Sequence, residues 1–134
     1  MHSGMWPYVI GMLAVHLVCF AAIWTGVSIT DLLLCLALYP LRMFGVTAGY
    51  HRYFSHRTYK MGRVMTFLMA FWAQTSVQRG VLWWSAHHRH HHKHSDEEQD
   101  VHSPVQSGFW YSHIGWIWEP ANHPTETQKV KDWA

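Results

Sequence analysis

Residues 5–24 read MWPYVIGMLAVHLVCFAAIW, a stretch without a single charged side chain. About 20 consecutive apolar residues are enough for a helix to cross the hydrocarbon core of a bilayer. We therefore expect a transmembrane helix over residues 5–24. A cleaved signal peptide is the alternative, but such a peptide begins with basic residues and no Lys or Arg precedes Arg42. The stretch predicts an integral membrane protein.

The sequence that follows predicts a return through the bilayer. The polar stretch Thr25–Asp31 favours a short turn, and residues 32–50 are again apolar, with Pro40 and Arg42 inside the segment. An Arg at the bilayer centre costs about 2.5–3.5 kcal/mol, so we expect Arg42 near an interface or against protein. All ten Lys and Arg residues lie from position 42 onward. The positive-inside rule therefore puts residues 51–134 on the cytoplasmic side of a helical hairpin.

The composition agrees with an all-α membrane protein rather than a soluble domain. Of the 134 residues, 49% are hydrophobic and only 13% are charged. Residues 64–73 are apolar but too few to span, so they predict a helix in the membrane interface, where Trp83 and Trp84 are also typical. A scattered net charge of +2 does not indicate a nucleic-acid partner. Cys19 and Cys35, in apolar segments, are expected to be free thiols.

Histidine is the residue type that stands out after the apolar segments. His51 and His56 are five residues apart, and six of the eight residues from 87 to 94 are histidine. The spacing i, i+3, i+4, which puts side chains on one face of a helix, occurs in two overlapping sets. These sets are His88, His91 and His92, and His87, His90 and His91. The spacing alone leaves the register open.

Such a cluster predicts a metal site built on imidazole nitrogen. Only 8 residues are acidic, and none forms the Glu-x-x-His pairs of a di-iron carboxylate bundle. Neutral imidazole suits iron, zinc, copper and nickel. Because neighbouring imidazoles repel one another when protonated, we expect a bound metal to be released as the pH falls.

Simpler interpretations stay open at this point. The histidines are compatible with a surface tract that binds metals adventitiously, or with a metal store in a non-enzymatic membrane protein. The pair His51 and His56 alone is more often polar decoration of an interface. A run of acidic residues fits a solvated loop as well as carboxylates that support metal-binding histidines. The run consists of Asp96, Glu97, Glu98 and Asp100.

Several ordered stretches resemble the membrane fatty acid desaturases, specifically the acyl-CoA (stearoyl-CoA, delta-9) desaturase-like branch of bacterial type. The first stretch resembles the first histidine box with its lead-in. Trp84 and the next three stretches resemble the second box and its downstream signature, and the last stretch resembles the following block. The stretches are GVTAGYHRYFSHR at 45–57, HRHHHK at 88–93, SD at 95–96, DVHSP at 100–104 and GFWYSHIGW at 108–116. The resemblance covers the first half of the family's core.

The resemblance implies a di-iron enzyme that uses O2 and two electrons to introduce a cis double bond, commonly at the delta-9 position, into a fatty acyl chain. The substrate would be an acyl-CoA or an acyl-lipid in the membrane, and the electrons would come from a cytochrome- or ferredoxin-type donor. An unactivated methylene has no acidic proton, so acid–base residues cannot do this chemistry, whereas a metal centre that activates O2 can. A histidine-box hydroxylase uses similar chemistry, but the flanking residues favour desaturation.

Carried over residue by residue, the resemblance selects one register, because the family's second box begins with a His-Arg pair. The implied iron ligands are His51, His56, His88, His91 and His92. His87 and His90 then become neighbours of the ligands. Trp84 is expected to line the acyl tunnel, with an interfacial tryptophan as the alternative.

The family's second hairpin and third histidine box would follow residue 134. Residues 1–134 are therefore expected to form a partial desaturase domain, with truncation favoured over ligand sharing between two copies. Two irons need roughly ten coordination positions, so we expect five box histidines to leave the chain inactive on its own. Of the other histidines, His102 and His113 belong to matched blocks, and His123 is expected in a surface loop.

Overall fold

The computed structural model describes residues 6–133, apart from the side chains of Pro7 and Tyr8. These residues form helices and turns without any strand, which confirms the all-α expectation for them. The α-helices are α1 (Trp6–Cys19), α2 (Ala22–Thr25), α3 (Ile29–Phe44), α4 (Arg63–Gln74), α5 (Val81–His94), α6 (Pro104–Ser107) and α7 (Trp116–Trp118). Gly45–Ser55 and Tyr111–Gly115 are π-helical, and Pro120–Asn122 and Thr127–Trp133 are 3-10 helices.

The first apolar stretch forms a shorter helix than the predicted span 5–24. Met5 lies outside the described residues, and a turn at Phe20 and Ala21 separates α1 from α2. The apolar stretch Val9–Thr25 falls below the length of a membrane span. The transmembrane hairpin therefore stays a prediction.

One helix within residues 6–133 is long and apolar enough to cross a membrane. It covers Ile29–Ser55, has 27 residues and reaches a mean hydropathy of 1.6. It begins before the predicted start at Leu32 because Ser28 and Asp31 form a capping box. The amide of Asp31 donates to Ser28 Oγ at 3.2 Å, and the amide of Ser28 donates to the Asp31 carboxylate at 2.8 Å.

The same helix also ends later than the predicted boundary at residue 50. The α-helical part, α3, leaves large apolar side chains such as Leu36 and Tyr39 exposed, as a lipid-facing surface requires. The final part, Gly45–Ser55, is π-helical and largely buried. The first histidine of the 51–56 pair therefore lies within the helix rather than beyond its end.

Helix α4 packs closely against the π-helical segment at two glycines. A Cβ added to Gly45 would lie 3.1 Å from the backbone oxygen of Trp72, and one added to Gly49 would lie 3.1 Å from Ala73 Cβ. The absence of side chains at these glycines allows the two backbones to approach each other. The helix predicted over residues 64–73 is present, and it exposes apolar side chains on the face away from this contact. Val64, Phe67 and Phe71 are among them.

A small apolar core holds the π-helical segment in place. Tyr53, Phe54 and Met69 form its buried centre, and Trp133 packs against them from the last helical segment. The Tyr53 hydroxyl lies 2.6 Å from Thr66 Oγ1 on α4. Helix α5 packs beside this core, against the π-helical segment and Thr127–Trp133. The core thereby fixes α5 opposite the residues that carry the first histidine pair.

Candidate metal centre

Four of the five predicted ligands come together between the π-helical segment and α5. They are His51, His56, His88 and His92, and their ligand nitrogens all lie within 4.8 Å of one another. The Nε2 atoms of His56 and His88 are only 3.3 Å apart. Nitrogens bound to one ion at about 2.1 Å lie at most about 4.2 Å apart. Inward movement of less than about an ångström would therefore bring all four nitrogens onto one metal ion.

The π-helix explains why a five-residue spacing works in this site. At 3.6 residues per turn, side chains five residues apart on an α-helix point about 140° away from each other. A π-helix instead bonds residue i to residue i+5, and the amide of His56 donates to the carbonyl of His51 at 3.2 Å. The His51 and His56 rings consequently lie on the same side, with centroids 4.7 Å apart.

The ring orientations suit a shared ion. A metal bound to an imidazole lies near the ring plane, so rings that share one ion must have planes that cross. The planes of His51 and His56 cross at 83°, those of His51 and His88 at 82°, and those of His56 and His92 at 79°. His88 and His92, one turn apart on α5, cross at 61°. The four lone pairs can therefore converge.

The electrostatics of the cluster favour uncharged imidazoles. Burial and the neighbouring rings of His92, His51 and His56 lower the pKa of His88 to about 3. Burial, His51 and His92 also lower the pKa of His56. A metal binds the neutral form of imidazole. The donor set thus fits iron or another borderline transition metal, held by nitrogen.

His91, the fifth predicted ligand, lies in a neighbouring group with Asp100 and His102. Its Nδ1 lies 2.9 and 3.0 Å from the two carboxylate oxygens of Asp100. The His91 and His102 rings stack with centroids 4.2 Å apart and planes only 25° apart. Two nearly parallel rings cannot both point at one nearby ion. As arranged, the group is a hydrogen-bonded stack rather than a second convergent site.

Asp100 is held as a buried carboxylate. Its side chain has no exposed surface, and burial raises the pKa of the carboxyl. Hydrogen bonds from His91 and from the amides of Asp96 and His102 outweigh burial, so the pKa of Asp100 lies below its usual value. The two interpretations of the acidic run therefore apply to different residues. Asp100 supports a histidine, whereas Glu98 is exposed, as expected for a solvated loop.

The remaining histidines lie outside the four-membered cluster. His87 is buried, and its ring packs tilted against that of Trp83 with centroids 4.2 Å apart. His90 Nε2 lies 2.8 Å from the carbonyl of Gln99. His113 is exposed and stacks on Phe109. His123 Nε2 lies 3.2 Å from the carbonyl of Ile117. The alternative register, with His87 and His90 as ligands, does not converge in the structure.

Trp84 lies directly beside the cluster. Its ring stacks on His88 with centroids 4.6 Å apart and on Tyr50 with centroids 5.2 Å apart. Its indole N–H donates to Gln78 Oε1 at 3.0 Å. This position puts an apolar wall next to the imidazoles and leaves its role in substrate binding a prediction.

Arg89 positions the cluster without belonging to it, and sequence reasoning did not identify this role. Its guanidinium donates to the carbonyls of Phe54, Ser55 and Lys129 and to both carboxylate oxygens of Asp132. The first two acceptors immediately precede His56. The only signal in the sequence was the His-Arg start of the second box, which carries no information about long-range acceptors.

Sequence comparison adds relatives of known class. The chain is 35% identical over 98 residues to the delta-9 acyl-lipid desaturase 2 of Arabidopsis thaliana, covering 73% of this chain and 30% of the relative. It is 35% identical over 105 residues to the acyl-CoA 5-desaturase of Anemone leveillei, covering 78% and 32%. It is 33% identical over 105 residues to the hex-5-enoyl acyl-carrier-protein acetylenase of Moorena producens, covering 70% and 33%.

The chain thus spans about a third of the length of these relatives. No family model and no solved structure matches it. The matched segments are long, at about 70% or more of the chain, and the relatives act on acyl groups by name. Together with the converging imidazoles, this similarity supports a relationship between the chain and the acyl-CoA and acyl-lipid desaturases.

Proposed function

We propose that the chain carries part of the di-iron centre of a membrane fatty acyl desaturase that uses O2. The observation that supports this proposal most directly is the convergence of four imidazoles at the end of an apolar helix. Similarity to acyl-CoA and acyl-lipid desaturases gives the cluster a reaction class. A surface histidine tract has no reason to converge with a distant second pair of histidines.

In this proposal, His51, His56, His88 and His92 hold one iron, and His91 binds toward the second. The iron centre, when bound, supplies activation of O2 for removal of two hydrogens from an unactivated acyl chain. The protein orients the imidazoles, and burial disfavours the charged forms of His56 and His88. Five imidazoles do not fill the roughly ten positions of two octahedral irons. The proposal therefore requires further ligands, and these 134 residues alone do not desaturate.

The substrate proposal rests on the surroundings of the cluster. An acyl chain bound as acyl-CoA or acyl-lipid would reach the imidazoles from the membrane, past the ring of Trp84. Trp84 stacks on His88 and would exclude water from that side. We propose delta-9 as the position of the double bond and a cytochrome- or ferredoxin-type protein as the electron donor. The restriction of Lys and Arg to positions from 42 onward supports a cytoplasmic location of the cluster.

The experiment is anaerobic titration of the chain, in lipid nanodiscs, with Fe(II) in competition with a chelator. His88→Asn removes a ring that contacts the other three, and it should weaken Fe(II) binding by at least about tenfold. His90→Asn is the matched control on the same helix, because His90 bonds to the carbonyl of Gln99 and lies outside the cluster. Equal loss in both variants, or no Fe(II) binding by the wild type, would refute the proposal.

Two further readouts separate the proposal from its alternatives. Because a nitrogen-donor site generally binds Zn(II), Ni(II) and Cu(II) at least as tightly as Fe(II), the discriminating readout is dependence on the cluster. Uptake of these ions that His88→Asn leaves unchanged would favour a metal store. Mass spectrometry of fatty acids from a host that expresses the chain should detect no new double bond. A new double bond would contradict the need for further ligands, and a hydroxylated acyl chain would favour the hydroxylase alternative.

A further inference from the structure

The buried carboxylate of Asp100 is matched to one particular nitrogen of His91. Oδ2 accepts from His91 Nδ1 at 2.9 Å and from the amide of Asp96 at 3.1 Å. Oδ1 lies 3.0 Å from the same Nδ1 and accepts from the amide of His102 at 3.3 Å. An ionised carboxylate can only accept hydrogen bonds. His91 Nδ1 must therefore carry a proton, so any lone pair that the ring offers to a metal is on Nε2.

The loop that carries Asp100 is itself tied down. Asp96 has a positive φ of 62°, and its side chain accepts from Ser103 Oγ at 2.8 Å. Ser103 is completely buried and caps α6. Ser103 thus ties Asp96, which precedes Asp100, to the first turn of α6, which follows it. These bonds hold the backbone on both sides of Asp100, so the carboxylate keeps its position if the His91 ring rotates.

We infer that Asp100 is a positioning residue that holds His91 in the Nδ1–H tautomer and so presents Nε2 to a metal. The inference rests on the proposed function only in taking His91 as a ligand. Carboxylates that accept from the second ring nitrogen orient metal-binding histidines and raise their basicity. The competing role, in which Asp100 itself binds the metal with His91 and His102, disagrees with the 25° stack of the two rings.

The first test is 15N NMR of the metal-free chain, labelled at histidine and assigned with His91→Gln. The wild type should give the Nδ1–H tautomer of His91 at slightly alkaline pH. In Asp100→Asn, an NH2 group replaces one of the two oxygens that accept from His91 Nδ1 and the loop amides. Nδ1 can accept a hydrogen bond from this NH2 group only without its own proton, so the ring should move toward the Nε2–H tautomer. An Nε2–H tautomer in the wild type would overturn the inference, whether or not the variant folds.

The second test is Fe(II) titration of the same proteins. Asp100→Asn should bind the same number of ions per chain with about 10- to 100-fold weaker affinity. Glu97→Gln is the matched control, because Glu97 accepts from His94 Nδ1 at 3.0 Å in the same way but is exposed. Its affinity for Fe(II) should equal that of the wild type.

These outcomes separate the two roles of Asp100, and they separate failure of this inference from failure of the proposed function. Loss of one bound ion in Asp100→Asn would make Asp100 a ligand and overturn the inference. Equal weakening in Glu97→Gln would overturn it as well, since any lost carboxylate would then have the same effect. If the wild type binds no Fe(II), the proposed function fails, and the tautomer of His91 still decides whether Asp100 positions the ring.

Discussion

Replacing Arg89 by Lys should loosen the contact between the two histidine-bearing elements. The Arg89 guanidinium donates to the carbonyls of Ser55 at 2.8 Å, Phe54 at 3.0 Å and Lys129 at 3.0 Å, and to Asp132 at 2.6 and 3.0 Å. Arginine has five donors in a planar fork, whereas lysine has three on one atom. A lysine ammonium reaching Asp132 cannot also serve all three carbonyls.

The expected cost follows from the acceptors that lose their donor. Phe54 keeps a donor, because Trp133 Nε1 donates to its carbonyl at 2.8 Å. The carbonyls of Ser55 and Lys129 lose theirs, at about 0.5–1.5 kcal/mol each. The Asp132 side chain is 39% exposed, so a weaker ion pair adds less than about 1 kcal/mol. The sum is about 2 kcal/mol, or roughly thirtyfold in the local opening equilibrium.

Native-state hydrogen exchange in nanodiscs measures this opening directly. Amides of residues 127–133 should exchange roughly thirtyfold faster in Arg89→Lys, while those of α1 should be unchanged. Arg63→Lys, at an exposed position on α4, is the matched control and should change neither region. An increase below about threefold in residues 127–133, or an equal increase in α1, would contradict the assigned role of Arg89.

Three more expectations concern stability and are checked by unfolding in detergent. Gly45→Ala should lower the free energy of unfolding by about 1–3 kcal/mol, because the new Cβ meets a backbone oxygen of α4 at 3.1 Å. The control Gly62→Ala, with open space around it, should change the free energy of unfolding by no more than about 0.5 kcal/mol. Equal effects of the two substitutions would contradict close packing at Gly45. Ser85→Ala should be neutral or stabilising by up to about 1 kcal/mol, because the buried hydroxyl has no hydrogen-bond partner among the described residues; clear destabilisation would indicate a partner. The hydrogen bond from Arg89 lowers the pKa of Asp132. The ionised Asp132 side chain therefore contributes to the stability of the fold above about pH 4, and this contribution is lost as the pH falls through the lowered pKa. Asp132→Asn should therefore be less stable than the wild type at pH 7 and approach it at low pH, and a gap that widens in acid would reverse the sign.

The hydrophobic pattern predicted the long apolar helix but not where it begins and ends. The predicted segment 32–50 lies inside the observed helix Ile29–Ser55. Its start depends on the capping box of Ser28 and Asp31, a local signal that the apolar count overlooks. Its end depends on π-helical bonding through residues 51–55, where polar and aromatic residues are mixed and hydropathy gives no clear signal. The helix over residues 64–73 was predictable because its apolar residues form a run that only Thr66 interrupts.

The histidine site was predictable in composition but not in arrangement. Spacing on α5 put His88 and His92 on one face, and the structure brings them to His51 and His56. Spacing also put His91 on that face, yet its ring turns to Asp100, nine residues later. A periodic pattern describes directions around one helix, whereas a hydrogen bond to a buried loop depends on where that loop folds back.

By itself, the sequence predicted apolar segments of membrane length and the chemistry of the donor atoms, because hydrophobicity and imidazole are properties of the residues themselves. An uncharged stretch of membrane length and a histidine-rich helix follow from composition and short-range order. Only the tertiary structure decided which nitrogens converge, through the π-helical turn at 51–56, the carboxylate of Asp100 and the guanidinium of Arg89. The physical reason is distance along the chain. The partners of Arg89 lie 34 to 43 residues away, and contacts of that range form only when packing brings separate elements together.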